Sequence, residues 1–341
     1  MNTQWKDHLL SQTAEIDGAG NVRFPAAPSV ADPALMDLSR LGLIAVGGAD
    51  ATQFLQGQLT NDLRTLTPTR TQLSAHCSPK GRMLANFRVL RFGELIYLQL
   101  PRSAAGALFK RLSMFVLRAQ VTVEDASDRL VSIGLAGPCA PDVLATLFPD
   151  LPEDANAIAH HGELVVIRIP GTPPRFEVLG PVDAVIPLWD GLARESTIVD
   201  ADYWALLDIR AGLPTVYPQT ADLFIPQMTN MQLIDGVSFT KGCYTGQEVV
   251  ARMQYLGRLK RRMYVAEVHA DEPPQPGEDL FSRSSTSEQA TGWVVDARRS
   301  GPSRCELLAV VEIAAAESQD VRLGDSGPPL TLRDPPYGFA A

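Results

Sequence analysis

Cysteine and histidine are scarce in this 341-residue chain, with four of the first and five of the second. Four thiols in that length make no disulfide scaffold. Cys77, Cys139, Cys243 and Cys305 include no C-x-x-C pair, and no histidine supplies an H-E-x-x-H or mixed Cys/His spacing, so no metal site is expected. An unbroken apolar run of about 18 residues is also missing, so no membrane span is expected. The first 30 residues scatter Lys6, Asp7, Glu15 and Asp17 among the apolar ones and lack the hydrophobic stretch of a secretory signal. A soluble protein of the reducing cytoplasm is the expectation. Positive charge is in deficit too: 30 Lys and Arg against 39 Asp and Glu leave a net −9. That is the wrong sign for a general nucleic-acid coat, and no stable nucleic-acid binding is expected.

What the chain does have is core material, with 45% hydrophobic and 20% charged residues over a length that suits two or three domains. Residues 1–30, with Pro25 and Pro28, read as a flexible arm. Residues 43–46 read as a buried strand, and Asp50 as the N-cap of a helix carrying Phe54, Leu55 and Leu59. Strands are expected at 83–90 and 95–100, between the breaks Pro79-Lys80-Gly81 and Gly93, then a helix at 104–118 and strands at 121–123 and 130–135. A second α+β stretch follows Gly137-Pro138, with helices at 141–147 and 182–192 around a hairpin of strands at 164–169 and 176–179. Asp202 then caps a helix at 203–211, which Gly212 and Pro214 stop. After Arg262 short β-rich runs recur between Gly/Pro turns, the pattern of a small barrel or sandwich. The expected division is 31–136 rejoined by 206–257, then 137–205, then 258–341.

The densest chemical signal is Phe239-Thr240-Lys241-Gly242-Cys243-Tyr244-Thr245-Gly246-Gln247-Glu248. Thr245-x-x-Glu248 ahead of Val249, Val250 and Met253 has the form of a capping box, so a helix should begin near Gly246. Cys243 then sits just before a helix start and two residues from Lys241, both of which favour a thiolate. The competing reading is an inert cysteine packed in a tight turn. From Val249 to Ala266 there is no acid, while Arg252, Arg258, Lys260, Arg261 and Arg262 supply five positive charges. That run suits phosphates, an RNA backbone or the glutamate tail of a folate, or else it is a solvated linker. Trp204 is either a stacking platform for a flat heterocycle or a core aromatic. His76-Cys77 lacks an orienting third group and is not read as a nucleophile pair.

These residues carry a resemblance. Phe54-Leu55-Gln56-Gly57-Gln58-Leu59-Thr60-Asn61-Asp62, Lys80-Gly81-Arg82, Phe224-Ile225-Pro226-Gln227 and the stretch from Lys241 to Arg252 are similar to the YgfZ family, over roughly residues 37–335. That family is the folate-binding, tRNA-modification and iron–sulfur-maintenance branch related to the glycine-cleavage T-protein, an aminomethyltransferase. The resemblance implies an α+β fold: a three-domain ring of the T-protein type with a C-terminal small β-barrel. It also implies tetrahydrofolate or a one-carbon derivative as cofactor, and iron–sulfur enzymes such as radical tRNA methylthiotransferases as partners. Cys243 and Lys241 become the candidate catalytic residues. The candidate cofactor-binding residues are Trp204, Leu41, Asn61, Asp62, Asn86, Glu248, Arg252 and Arg258, with Leu41 at a position where relatives can have tryptophan.

Departures from the T-protein pattern are informative. Ala85 and Asn86 stand where that enzyme's carboxylate is expected, and neither ionises near neutral pH. Arg210 stands where a pterin-binding glutamate is expected, with the wrong charge for the pterin's donors; Asp208 or Glu248 is left as a substitute. Glycine-cleavage chemistry is therefore not expected. The reading preferred is a folate-binding accessory protein for iron–sulfur enzymes and tRNA modification, with Cys243 as its redox- or thiol-active residue. The alternatives are a folate-dependent one-carbon transferase or demethylase, and a non-catalytic tRNA-binding module.

Overall fold

A computed structural model describes residues 1–17, 20–25, 32–283 and 290–339. The remaining residues of the expected arm and of the expected barrel lie outside these. The chain divides into two compact units: Met1–Thr52, Thr65–Gln72 and Arg88–Trp204 in one, and Gln53–Arg64, Leu73–Phe87 and Ala205–Ala341 in the other.

The first unit begins with a correction to the arm. Thr3–Ser11 is a helix, capped by Asn2, whose side chain accepts from the Trp5 amide. Trp5 and Leu9, one turn apart, are fully buried in a core with Leu35, Ile133 and Trp189. Only two buried apolar residues in a largely polar stretch, with Leu10 turned to solvent, left that helix illegible. Its core lies against a six-stranded sheet in the order Ile158–His161, Leu164–Ile169, Arg175–Gly180, Val131–Ala136, Ala34–Asp37, Thr197–Ile198. The pairs are antiparallel except the last.

Elsewhere in this unit, residues 88–92, the end of strand Met83–Phe92, pair with Leu95–Pro101, which pairs with Leu41–Gly47, and that in turn with Thr122–Asp125. Helix Arg102–Ser113 buries Ala104, Ala105, Leu108 and Leu112, and a Cβ on Gly42 would come within 3.1 Å of Ala105, so the glycine admits the helix to the strand. This helix stops short of its expected end at 118. Just beyond it the Phe115 and Val116 amides fall back on i−3 carbonyls, and Leu117 is 85% exposed. Asp50 is not seen as a cap for helix Ala51–Gln56; its carboxylate accepts from the Gln120 amide.

The second unit holds a six-stranded sheet in the order Val321–Leu323, Asp279–Ser282, Gly292–Gly301, Arg304–Glu312, Arg261–Val268, Leu330–Arg333. Its two edges meet at a bridge between Arg322 and Pro329, so the sheet curls into a small barrel. Alternation along two of its strands feeds two cores. Tyr264, Ala266, Leu307, Ala309 and Val311 enter one, and Met263, Val265, Leu308 and Val310 pack with Phe224, Met231 and Val250 in the other. Burial on both faces explains why these strands read as continuous apolar runs.

Candidate functional site around Cys243

Two tight turns of the second unit build the site. Strand Gln72–Cys77 turns back into Met83–Phe92 through residues 78–82, closed by Gly81 N to Ser78 O at 2.9 Å and Ser78 N to Arg82 O at 2.8 Å. The Ser78 hydroxyl donates to Asp222 at 2.7 Å, and Gly81 takes φ +70°. The second turn is the Lys241–Gly246 segment. Gly246, at φ +82°, is the N-cap of helix Gln247–Tyr255. A Cβ on Gly246 would lie 2.4 Å from Ser78 O and 2.9 Å from Gly81 Cα, so these two turns touch only because both positions are glycine.

The helix start falls where the sequence placed it, but the capping box does not form. The cap has no side-chain hydrogen bond. Glycine at the cap, with positive φ and close packing, displaces the threonine that the pattern nominated.

Cys243 is exposed, at an open hollow of about 540 Å3 lined by Pro79, Tyr244, Thr245, Gly246, Gln247, Glu248 and Ala251. The packed-cysteine reading is thus overturned for this thiol. Helical residues begin only at Gln247, so the sulfur is carried by the preceding loop. Pro79 comes from the other turn, a lining residue that sequence reasoning treated only as a chain breaker.

Lys241 has a different task from the one expected. It is 5% exposed, and its ammonium donates to the carbonyls of Gln56 (2.8 Å), Leu59 (2.5 Å) and Asn61 (2.8 Å), while lying 5.0 Å from the centre of the Tyr244 ring. All three donors of the ammonium are engaged by backbone. Burial pulls its pKa down to about 8. The lysine clamps the signature loop to the 56–61 turn, and its charge is directed to those carbonyls. Tyr244 is buried beside it, and burial raises its phenol well above the usual range.

The residues expected at the folate divide into two groups. Asn61 donates to Leu73 O and Asp235 O and accepts from the Asp62 amide. The Arg64 fork holds Asp62 at 2.9 and 2.6 Å and keeps its carboxyl far below the usual range. Asn86, 8% exposed, staples the 214–216 segment, donating to Pro214 O and accepting from Val216 N, both at 2.7 Å.

In the first unit, Trp204 is 4% exposed, with the Arg175 guanidinium 5.0 Å from its ring centre and Gly134 against its edge. It is a core aromatic. Leu41 is half-buried beside a slot, shared with Trp5, Ser39 and Arg102, that has room for about one water. The pterin end of a folate does not fit these residues: their polar groups and ring face already have protein partners. Glu248, Arg252 and Arg258, by contrast, are exposed.

The basic run splits as well. Arg261 lies 5.0 Å from the Trp293 ring and pairs with Glu312 at 2.8 Å, and Arg262 sits 4.3 Å from the Phe339 ring. Arg210 forks onto Glu306, with contacts from 2.7 to 3.2 Å. That pairing accounts for an arginine where the T-protein pattern has an acid. Among the described residues no cluster of three or more His, Cys, Asp or Glu is arranged to hold a metal, and no helix is long and apolar enough to cross a membrane.

Comparison with known proteins bears on the fold and the family. The model of the GCVT N-terminal domain matches residues 30–175. The fold is similar to that of glycine cleavage system aminomethyltransferase T from Bartonella henselae, with a TM-score of 0.75 at 18% identity over 99% of this chain and 98% of that one. That likeness establishes the α+β, T-protein type of fold. The tRNA-modifying protein YgfZ of Yersinia pseudotuberculosis serotype IB (strain PB1/+) is 33% identical over 322 residues, 93% of this chain and 97% of that protein. Its counterpart in Klebsiella pneumoniae (strain 342) is 32% identical over 318 residues, with the same coverage of both chains. With nearly full-length identity at this level, the signature cysteine exposed on its loop and a T-protein fold around it, the chain belongs to the YgfZ family.

Proposed function

We propose that this protein is an accessory factor in tRNA modification that serves iron–sulfur enzymes, radical tRNA methylthiotransferases among them, through the Cys243 thiol. The observation that carries the proposal is the exposure of Cys243 at an open hollow, on a loop fixed by the Lys241 clamp and the Gly81–Gly246 contact. A loop held this firmly presents its sulfur in one place, which is what a transient contact with a partner's cluster or thiol requires. One thiolate does not hold an iron–sulfur cluster alone, so the cluster belongs to the partner.

Tetrahydrofolate or a one-carbon derivative is the ligand class expected from the family resemblance and is part of the proposal. Bound, it would supply one-carbon or electron-carrying chemistry. The exposed cations Arg252 and Arg258 suit its acidic tail. Trp204, Asn61, Asp62 and Asn86 are engaged within the protein and leave its pterin to other residues. The absence of an acid at Ala85 and Asn86 argues against the glycine-cleavage reaction.

The test is replacement of the gene by Cys243→Ala, with methylthiolated tRNA nucleosides quantified by mass spectrometry. The expected result is a fall to the level of cells lacking the protein, while the purified variant binds tetrahydrofolate as the parent does. Normal methylthiolation in the alanine strain would refute the role of the thiol.

A further inference from the structure

The helix that starts beside Cys243 ends on a surface unlike the rest of this acidic chain. Arg252 and Tyr255, three residues apart, share one face of helix Gln247–Tyr255, and Leu256 continues it. Tyr255 is 67% and Leu256 84% exposed. Beyond them the chain leaves the helix, and Arg258 and Lys260 are exposed on either side of half-buried Leu259. No acid occurs between Val249 and Ala266. With Arg261 and Arg262 turned onto barrel rings, three cations remain at this surface: Arg252, Arg258 and Lys260.

Tyr255 does not swing freely. Its ring meets Phe239 edge-on, with centroids 6.1 Å apart and planes at 74°. Phe239 lies two residues before Lys241, so the brace belongs to the same clamped segment that carries Cys243.

An exposed aromatic ring, held by its neighbour and flanked by three cations, with Glu248 one turn before Arg252 as the one acid on this helix, combines the two elements of single-strand nucleic-acid binding. A base stacks on the ring, and phosphates meet the cations. We propose that the face formed by Arg252, Tyr255, Arg258 and Lys260 is a contact surface for single-stranded RNA, with Tyr255 as the stacking platform. The face begins next to the Cys243 hollow, since Arg252 follows the lining residue Ala251, and Tyr255 lies about 6 Å of helix rise beyond Ala251. The inference deepens the tRNA-modification reading and takes its biological setting from it. The charge complementarity is local. The net −9 of the chain works against it at long range, so the contact is weak and salt-sensitive rather than a stable complex.

The experiment titrates a fluorescent single-stranded RNA 12-mer with the full-length protein across a salt series. Three phosphate contacts predict a log–log salt slope of about −2. Loss of one base stack in Tyr255→Ala predicts binding weakened about 5-fold or more, with Tyr255→Phe close to the parent. The triple variant Arg252→Gln, Arg258→Gln, Lys260→Gln is expected to flatten the slope. No detectable binding, equal binding by Tyr255→Ala, or an unchanged slope in the triple variant would each overturn the proposal. So would a poly-glutamate peptide that binds as tightly as the RNA and loses as much on Tyr255→Ala, since a folate tail needs the cations alone and that result marks the surface as one for an acidic protein. Binding by Cys243→Ala keeps the two readings apart: if that variant loses methylthiolation yet the parent fails to bind RNA, only this inference falls.

Discussion

Four cysteines in this chain occupy four different environments, and reactivity follows environment rather than residue type. Cys77 is fully buried, and desolvation pushes its thiol up to about 12. Cys305 is buried and raised for the same reason. Cys139 is exposed, but a hydrogen bond to the Asp32 carboxylate raises its thiol above the ordinary value. Cys243 is exposed on its loop beside an open hollow. Iodoacetamide at pH 7.5 is therefore expected to label Cys243 first and Cys139 more slowly, leaving Cys77 and Cys305 untouched until the protein is denatured. Peptide mapping by mass spectrometry reads the order, and early labelling of Cys77 would contradict the burial on which the site rests. Cys243 was legible in the sequence because small and basic residues crowd around it. The task of Lys241 was not: nothing in its spacing indicates that three carbonyls from residues 56–61 converge on its ammonium.

Among the elements, the two turns decide the geometry of the site. A side chain at Gly246 would meet the Ser78 carbonyl at 2.4 Å in a backbone conformation that disfavours any Cβ. Gly246→Ala is expected to destabilise the protein by about 2–4 kcal/mol, combining positive-φ strain with displacement of the 78–82 turn. Urea unfolding checks this, with Gly242→Ala as the contrast, because nothing lies within 4 Å of a Cβ there. Equal stability of the two variants would mean that the turns are not tightly packed. Long periodic elements were readable without coordinates: Leu164–Ile169 and Val182–Leu192 fall where their patterns put them. Ends and caps were not. Asp50 and Thr245 both have the chemistry of an N-cap, but the Gln120 amide engages the first, and a glycine takes the place of the second.

At the scale of the whole molecule, ion pairs to a buried carboxylate tie segments distant in sequence. Glu306, on a barrel strand, receives Arg210 from ninety-six residues earlier and Arg333 from the last strand. Burial alone would raise its carboxyl; the Arg210 fork, with Arg333 and Arg304 behind it, more than offsets that and holds it below the ordinary 4.5. A carboxyl lowered by folding contributes stability above its unfolded pKa and loses it as pH falls through the folded value. Arg210→Leu is thus expected to cost about 2 kcal/mol at pH 7, through loss of charge-assisted hydrogen bonds to a buried carboxylate. The difference from the parent should shrink as pH drops below 4.5. Thermal unfolding at a series of pH values measures both, and a pH-independent difference would show that packing, not charge, holds the pair.

Local pattern determined the α+β class, the barrel-like C-terminal texture and the segment bearing Cys243, because side-chain periodicity, turn residues and motif spacing are properties of neighbours along the chain. Only the tertiary structure decided which side chains were left available. Trp204 lost its ring face to Arg175, Asn86 its amide to residues 214–216, and Lys241 its charge to three carbonyls, whereas Cys243 and Tyr255 stayed open to solvent. Hydrogen-bond partners and burial are set by residues remote in sequence, and a polar or aromatic group already satisfied within the fold has little left to offer a ligand.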